Sequence, residues 1–356
     1  MKYYSEKQVL NSGRNIDIFT LENDNNMSVE ILGLGATLRK VMYADKDGNI
    51  ENVLLGWKDL NLYDNDPEGK RDPNPGNLGG LMARTAGRVA DAKITIDDVC
   101  YRLTDNNNGS TLHGGNVGFQ RVDWTGKVYE EDGKVCCELT YTSPDGTDGY
   151  PGNLIATVIY SLNNNDELTL TYKAVTDKAT LYNPTNHAYF NLLGNAKREI
   201  YNEVLQLNAD SIGEVDENRI PTGGLLKVAD ETAFDFREPR RIGDGLADEN
   251  IHVTRANGYD HAWVVNDGNE CVKLYDEESG RTLTVSTNQP CIVIYTMNFA
   301  DDPFEVIGDV VQRPKLAICF EAQKPAVGHN EVGRDDVILR PGEEYNQVTT
   351  FKFGLK

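Results

Sequence analysis

Residues 168 to 175 read Leu-Thr-Leu-Thr-Tyr-Lys-Ala-Val. Apolar and polar side chains alternate here with a period of two, which places Leu168, Leu170, Tyr172 and Ala174 on one face of an extended chain. Such alternation is typical of a β-strand with one buried face and one polar face. The stretch therefore predicts a strand at the edge of a hydrophobic core.

The same alternation recurs along the chain. Val135, Cys137, Leu139 and Tyr141 share one face of residues 135 to 141, and similar segments rich in Val, Ile, Thr and Tyr span 154–162, 281–287, 291–297 and 347–353. Clusters of Gly, Asn, Asp and Pro separate them, at 47–49, 132–133, 144–146, 163–165, 267–269 and 341–342. No long amphipathic helix is evident, and residues 199–207 fit a short helix or a strand equally well. We expect an all-β chain that forms a large antiparallel sandwich or barrel.

The chain shows no low-complexity linker and no internal repeat. Residues 61 to 80 are expected to form a polar loop, because Pro67, Pro73 and Pro75 fall within them together with several glycines. All-β folds often exceed 200 residues as one unit, so a single domain over residues 1–356 is the simpler interpretation.

Composition narrows the possible partners. The 35 Lys and Arg residues and 56 Asp and Glu residues give a formal net charge of −21. Such a charge repels nucleic acid and anionic lipid, and it disfavours phosphorylated substrates unless local arginines reverse the field. Neutral small molecules remain the expected ligands. No apolar run approaches the roughly 18 residues of a membrane span, and residues 1–7 lack an apolar signal segment, so we expect a cytoplasmic protein.

The six cysteines, Cys100, Cys136, Cys137, Cys271, Cys291 and Cys319, form no CxxC pair. Cys136 and Cys137 are adjacent and would face opposite sides of a strand. We expect free and mostly buried thiols, not a zinc site or a disulfide scaffold.

Residues 183 to 193 read Asn-Pro-Thr-Asn-His-Ala-Tyr-Phe-Asn-Leu-Leu and contain one of only 5 histidines. Amides, a hydroxyl and aromatic rings surround His187, a setting suited to proton exchange with a hydroxyl-rich ligand. Pro184 removes a backbone donor, which disfavours a regular central strand. The alternative is a polar turn whose histidine is satisfied by its neighbours.

Four further segments could carry chemistry. Arg88 follows Ala83-Arg84-Thr85-Ala86-Gly87 and could donate to ligand oxygens, or be an exposed cation. His113 precedes two glycines that permit close approach of a ligand, or simply form a hairpin turn. Asp260 begins a strand whose next residue, His261, would face the opposite side. Glu321 follows an apolar run, where a carboxylate is costly unless it is paired or protonated, which suits a general base.

Several common catalytic signatures are absent from the sequence. It contains no GxSxG elbow, P-loop or GxGxxG segment opening a helix, and no His-x-His or HExxH pattern. A metal site would have to combine His113, His187, Asp260 and Glu321, which are distant in sequence. We expect neither a metal nor an organic cofactor.

Taken together, these segments resemble the aldose 1-epimerase family, also called galactose mutarotases. The resemblance spans nearly the whole chain and rests on several motifs in order. They are Leu112-His113-Gly114-Gly115 with Gly118-Phe119 and Trp124, Ser143-Pro144-Asp145-Gly146 with Gly149-Tyr150-Pro151-Gly152, Thr185-Asn186-His187-Ala188-Tyr189-Phe190-Asn191-Leu192, Ile220-Pro221-Thr222-Gly223, Phe234-Asp235-Phe236, Tyr259-Asp260-His261, and Glu321 with Gln323.

The resemblance implies a large antiparallel β-sandwich that interconverts the α and β anomers of free aldoses such as galactose and glucose. It implies that Glu321 is the general base at the anomeric hydroxyl and that His187 is the general acid at the ring oxygen. His113 would support the same oxygen. Arg88 and Asp260 would hold sugar hydroxyls, and Asn186 and Tyr189 would line the same pocket. It leaves open whether the protein is a monomer or a homodimer.

Two departures from the family pattern concern substrate contacts. Gly87 stands where many members have an asparagine, and Val293 stands where many have a sugar-facing glutamine. Both changes remove an amide side chain and leave the acid/base residues His187 and Glu321 in place. The alternatives are therefore an epimerase of a disaccharide such as maltose or of a hexose 6-phosphate, and a sugar-binding protein without turnover.

Overall fold

The structure of the protein, a computed structural model, describes residues 1–66, 68–300 and 303–356. Antiparallel strands make up most of the fold. The first half contains β1 (Lys2–Val9), β2 (Asn15–Glu22), β3 (Ser28–Leu32), β4 (Thr37–Ala44), β5 (Ile50–Asn52), β6 (Leu81–Met82), β7 (Arg88–Val89), β8 (Lys93–Ile96), β9 (Val99–Arg102), β10 (Thr111–Leu112), β11 (Thr125–Glu131), β12 (Lys134–Ser143), β13 (Leu154–Asn163) and β14 (Glu167–Thr176).

The second half continues the pattern with shorter strands. It contains β15 (Thr180–Leu181), β16 (Thr185–Asn186), β17 (Tyr189–Phe190), β18 (Val204–Leu207), β19 (Ala209–Val215), β20 (Pro221–Lys227), β21 (Arg240–Arg241), β22 (Asp260–Val265), β23 (Val272–Tyr275), β24 (Arg281–Thr287), β25 (Cys291–Tyr295), β26 (Glu305–Val306), β27 (Val310–Val311), β28 (Ile318–Gln323), β29 (Ile338–Leu339) and β30 (Tyr345–Leu355).

Helices are few and short. In the described part of the chain, two are α-helices, α1 (Ile242–Leu246) and α2 (Ile251–Ala256). Single 3₁₀ turns occur at Leu60–Tyr63, Pro75–Asn77, Ala90–Ala92, Phe119–Arg121, Thr147–Gly149, Ile200–Asn202, Thr232–Phe234, His329–Glu331 and Asp335–Val337. Within the described ranges, no helix is long and apolar enough to cross a membrane.

Three antiparallel sheets dominate the topology. One has five strands in the order β1-β2-β3-β4-β5, one has six in the order β17-β28-β25-β22-β19-β20, and one has nine in the order β11-β12-β13-β14-β30-β24-β23-β18-β21. The nine-stranded sheet packs against the other two. The ring of Phe190 on β17 lies 5.1 Å from that of Phe351 on β30, and the ring of Tyr43 on β4 lies 5.5 Å from that of Phe353. This is a large β-sandwich, so the predicted fold class is confirmed.

The alternation read from the sequence matches the buried faces. Leu168, Leu170, Tyr172 and Ala174 lie on β14 and are all buried in the core between the sheets. Fully burying a leucine contributes about 1.5–3 kcal/mol, so this face alone is a substantial part of the driving force. Residues 199–207 contain both predicted alternatives, since a 3₁₀ turn at Ile200–Asn202 leads into β18. The predicted loop at 61–80 holds two 3₁₀ turns, and its Pro67 lies outside the described residues.

The six-stranded sheet has a second, polar face that positions the site. On β28, Phe320 and Ala322 pack into the core, so Cys319, Glu321 and Gln323 project from the opposite face. These residues form rows with neighbouring strands. Asp260 pairs with Tyr295 and Tyr295 with Cys319, while Val293 pairs with Glu321. We call this polar face the floor.

Candidate active site

A cavity of about 220 Å³ lies on the floor. The floor contributes Asp260, Val293, Tyr295, Glu321 and Gln323, and the surrounding walls include Arg88, His113, His187, Tyr189, Arg219 and Phe299. Three larger depressions, of about 300, 380 and 420 Å³, lie elsewhere on the protein. The described residues that line them include no histidine, so they offer no comparable carboxyl–imidazole pair.

His187 is held on both sides by backbone hydrogen bonds. Its N–H donates to the carbonyl of Gly80 at 2.9 Å, and its own carbonyl accepts from the N–H of Gly79 at 2.9 Å. Its Nε2 lies 3.6 Å from Oε1 of Glu321, and both side chains are buried. The imidazole and the carboxyl therefore face each other within reach of one small ligand.

The other nitrogen of His187, Nδ1, lies 3.4 Å from Sγ of Cys319. Burial raises the pKa of the Cys319 thiol well above its usual range, so the sulfur remains a neutral thiol that can accept a hydrogen bond from Nδ1–H. This contact is compatible with the neutral tautomer that carries its hydrogen on Nδ1 and leaves the lone pair of Nε2 facing Glu321.

Burial separates the two pKa values in opposite directions. It lowers the pKa of His187 to about 4 and raises the pKa of Glu321 to about 8. For Glu321, the nearby charge of Asp260 adds to the rise and Arg88 opposes it. Between these values the pair holds one proton, and burial favours its place on the carboxyl group.

His113 stands beside the pair in a tight turn. It has a φ of 48°, donates its N–H to the carbonyl of Gly87 at 3.0 Å, and accepts the N–H of Gly87 on Nδ1 at 3.3 Å. Its ring meets the His187 ring edge-on with a centroid distance of 5.4 Å. Burial lowers the pKa of His113 well below its usual range. His113 is therefore a neutral ring whose Nε2–H is free to donate to a ligand.

Arg88 and Asp260 face each other across the far side of the cavity. Nη1 of Arg88 lies 3.9 Å from Oδ2 of Asp260, while Nε of Arg88 donates to Oδ1 of Asn107 at 3.1 Å. Arg219 also approaches Asp260, with Nε at 3.8 Å from Oδ2. Burial raises the pKa of Asp260, and the two guanidinium groups oppose that rise. The arrangement offers donors and acceptors suited to sugar hydroxyls.

The structure brings six of the seven predicted site residues to one cavity: Arg88, His113, His187, Tyr189, Asp260 and Glu321. Asn186 is the exception, and its expected place in the lining is corrected. Its Nδ2 donates to the carbonyl of Gly79 at 2.8 Å and to the Tyr160 hydroxyl at 3.3 Å, and Asn186 is not among the residues that line the cavity. Tyr189 lines the cavity, but its hydroxyl donates to the carbonyl of Gly76 at 2.8 Å. Asn186 supports the wall, and Tyr189 contributes its ring.

Sequence reasoning did not assign several lining residues to the site, among them Arg219, Tyr295, Phe299 and Gln323. Gln323 could have been found, because it lies two residues after Glu321 on the same strand and must share its face. Arg219 and Phe299 stand in loops, where no periodicity marks them. The guanidinium carbon of Arg219 lies 5.7 Å from the centre of the Phe299 ring, which is half exposed. Only the fold shows that they meet at this cavity.

One residue of the predicted motifs has a purely structural role. Arg84 is buried and donates to the carbonyls of Pro151 and Gly152 at 2.8 Å and to that of Ser143 at 3.0 Å. It anchors the segment that leads to Arg88. Through these contacts the Ser143–Gly152 region, which does not line the cavity, is joined to that segment.

Among the residues that the structure describes, no group of three or more His, Cys, Asp and Glu side chains could hold a metal ion. His187 and Glu321 are already paired with each other, and Asp260 is already paired with arginines.

Fold and site define a class: a β-sandwich enzyme with a buried carboxyl–imidazole pair in a small polar cavity. The family model for aldose 1-epimerase matches residues 17–352. The galactose mutarotase of Rattus norvegicus is 35% identical over 346 residues, which cover 96% of this chain and 95% of that protein. The aldose 1-epimerase of Escherichia coli K12 is 33% identical over 347 residues, 96% of each chain.

Solved structures agree with these relatives. The crystal structure of galactose 1-epimerase from Lactobacillus acidophilus NCFM superimposes with a TM-score of 0.86 and 33% identity, and the match covers 100% of this chain and 99% of that one. The chain belongs to the aldose 1-epimerase family, and it is an isomerase.

Proposed function

We propose that the protein interconverts the α and β anomers of free aldohexoses such as galactose and glucose, without a cofactor. The observation that carries this proposal is the 3.6 Å approach of His187 Nε2 to Glu321 Oε1 in a buried cavity. Binding alone would not need a buried acid/base pair, because burying a carboxyl group that lacks a cationic partner is costly. The galactose mutarotases and aldose 1-epimerases to which the chain is similar support the same reaction.

Ring opening needs a base at the anomeric hydroxyl and an acid at the ring oxygen. Glu321 takes the proton from O1, the C1–O1 bond becomes a carbonyl, and the C1–O5 bond breaks. His187 gives a proton from Nε2 to O5. The aldehyde then turns about its C1–C2 bond and closes on its other face with the two roles reversed. Each positioned proton transfer typically supplies about 10²–10⁴-fold in rate.

The proton arrangement that burial favours is the one required by the closing half of this cycle. Ring closure requires a protonated Glu321 to donate to the carbonyl oxygen and a neutral His187 to accept from the C5 hydroxyl. Burial favours that state. Opening requires the same single proton on the imidazole. A bound sugar favours this arrangement, because its O1–H donates to the carboxylate while its O5 accepts from Nε2–H.

The remaining residues position the ring. His113 supports O5 through Nε2–H, and its neutrality avoids a second cation beside His187. Arg88 and Asp260 hold hydroxyls on the far side of the cavity, and Tyr189 packs its ring beside that of His187 at a centroid distance of 4.9 Å. The sugar is thus fixed while C1 reacts.

Polarimetry on a panel of sugars tests this function. Freshly dissolved α-anomers of glucose, galactose and maltose, together with glucose 6-phosphate, are followed with and without protein. We expect accelerated mutarotation of the two free hexoses. If the protein accelerated only maltose or only glucose 6-phosphate, that sugar would be its substrate in place of the free hexoses. Binding without acceleration of any sugar would identify a binding protein and contradict the proposed reaction.

A further inference from the structure

Gln323 is the floor residue next to Glu321 on β28. Its side chain is almost completely buried and lines the cavity. Residues two apart on a strand share a face and lie roughly 7 Å apart, so Gln323 lies beside Glu321 on the floor. Neither the acid/base roles nor the hydroxyl contacts described above use this amide.

The amide of Gln323 has one fixed end and one free end. Nε2 donates to the carbonyl of Lys324 at 3.2 Å, which only the NH₂ end can do. This contact fixes the orientation of the amide. Oε1 is buried and has no hydrogen-bond partner among the described residues. A buried acceptor without a donor is unfavourable, and a ligand hydroxyl at the cavity would supply the missing donor.

Two neighbouring positions carry no polar side chain that could compete with Gln323 Oε1 for a ligand hydroxyl. Gly87 has no side chain, and a Cβ there would lie 3.8 Å from Nε2 of Gln323. Val293 pairs with Glu321 across the floor and carries no polar atom. Neither position therefore offers an amide that could replace Gln323 in binding a ligand hydroxyl.

The order of groups along β28 corresponds to the order of atoms in a pyranose. Cys319 contacts His187, Glu321 follows, and Gln323 comes after it on the same face. In the sugar, C1 lies between O5 and C2. With O5 at His187 and O1 at Glu321, C2 points toward Gln323. The hydroxyls on C1 and C2 are neighbours on the ring. With one hydrogen bond of about 2.7 Å from O1 to Glu321 and another from O2 to Gln323, they span the distance between the two side chains.

We propose that Gln323 Oε1 accepts a hydrogen bond from the C2 hydroxyl and makes the enzyme selective for sugars that carry it. This inference rests on the proposed anomer interconversion. It assigns to Gln323 a specificity role in a chain that lacks amide side chains at positions 87 and 293. The predicted substrate class is aldoses with a free 2-hydroxyl.

The test compares glucose with 2-deoxyglucose and 3-deoxyglucose in the wild type and in Gln323→Leu. The measured quantity is the ratio of kcat/KM for glucose to that for each deoxy sugar, so the intrinsic reactivity of each sugar cancels between the two proteins. Gln323→Leu should reduce the 2-deoxy ratio about threefold to tenfold, the usual worth of one neutral hydrogen bond, and leave the 3-deoxy ratio unchanged. An unchanged 2-deoxy ratio, or a change in the 3-deoxy ratio instead, would overturn the assignment.

Gln289→Leu is the matched control. Gln289 is also a buried glutamine whose Oε1 has no partner among the described residues, but it does not line the cavity. Its substitution should leave both ratios unchanged. Gln323→Met replaces the leucine variant if that protein does not fold, as judged by circular dichroism. Absence of mutarotation in the wild type would refute the proposed function, whereas active proteins with equal ratios would refute only the role of Gln323.

Discussion

In the proposed reaction, Glu321 and His187 act through the single proton that they hold together. Burial favours that proton on the carboxyl group, although ring opening needs it on the imidazole. The labels of general base and general acid therefore describe one direction of a reversible step. Because both groups are buried in the same cavity, neither titrates independently of the other.

The pH dependence of kcat/KM follows from this shared proton. The pKa of His187 is lowered to about 4 and that of Glu321 is raised to about 8, so the pair holds one proton between those values. Above about pH 8 it has none to donate to O5, and below about pH 4 it has no base for O1–H. We expect a plateau between these values and about a tenfold fall per pH unit beyond each limit, measured as initial mutarotation rates.

Glu203 provides the control for the alkaline limb. Burial also raises its pKa to about 8, but Glu203 bonds to the Leu192 N–H and is not among the cavity residues. Glu203→Gln should leave the pH profile unchanged. Loss of the alkaline limb in this variant would show that the limb reports on the fold and not on Glu321.

At the scale of elements, side-chain hydrogen bonds hold the segment 183–193, which carries His187, against β28. Asn183 bonds the backbone of Lys324, Thr185 donates to the Ala322 carbonyl, and Asn191 donates to the Leu316 carbonyl. Three polar residues thus join this segment to β28 or to the residues at its two ends. The structure shows that these contacts hold His187 opposite Glu321.

The turn that carries His113 depends on the absence of a side chain at residue 114. Gly114 has a φ of 83°, and a Cβ there would lie 2.0 Å from the carbonyl oxygen of Ala83. Gly114→Ala should lower the free energy of unfolding by about 2–4 kcal/mol, through strain and overpacking, and should reduce activity by displacing His113. Urea denaturation and mutarotation rates measure the two effects.

Gly109 is the matched control in the preceding turn. Its φ is 90°, but a Cβ there would meet nothing within 4 Å. Gly109→Ala should cost about 1 kcal/mol, for the backbone conformation alone, and leave activity unchanged. Equal losses in both alanine variants would contradict the packing explanation for Gly114.

The sequence predicted the site residues unequally well, for physical reasons. Period-two patterning separated Asp260 from His261 correctly, because successive strand residues must face opposite sides, and His261 packs its ring against Phe234 at 4.8 Å. Asn186 was misplaced, because an amide that binds a backbone carbonyl looks the same in sequence as one that binds a sugar. Arg219 was missed, because its contact with Asp260 depends on the path of a loop.

At the scale of the whole molecule, alternation predicted the strands but not their order. β14 pairs with β30 and β24 pairs with β30, so the C-terminal strand joins two halves of the nine-stranded sheet. No local pattern encodes such pairings. For the same reason, sequence patterns alone did not predict that five distant segments meet at one site, and only the family resemblance implied it. They are the segments that carry Arg88, His113, His187, Asp260 and Glu321.

We propose that residues 1–356 form one domain. The main hydrophobic core contains residues from all three large sheets, including Phe19 on β2, Phe320 on β28 and Phe353 on β30. The site depends on this continuity, because the floor belongs to one sheet and the strands behind it to another. Substitutions that disrupt packing between the sheets should therefore also displace Glu321 and His187.

The central claim is that the Glu321–His187 pair opens and closes the sugar ring. Proton NMR saturation transfer between the α and β H1 signals of glucose measures this exchange at equilibrium. We expect exchange with the wild type and with Glu203→Gln, and a loss of at least about 100-fold in Glu321→Gln and in His187→Asn, with all proteins folded. Undiminished exchange in Glu321→Gln, or no exchange with the wild type, would contradict it.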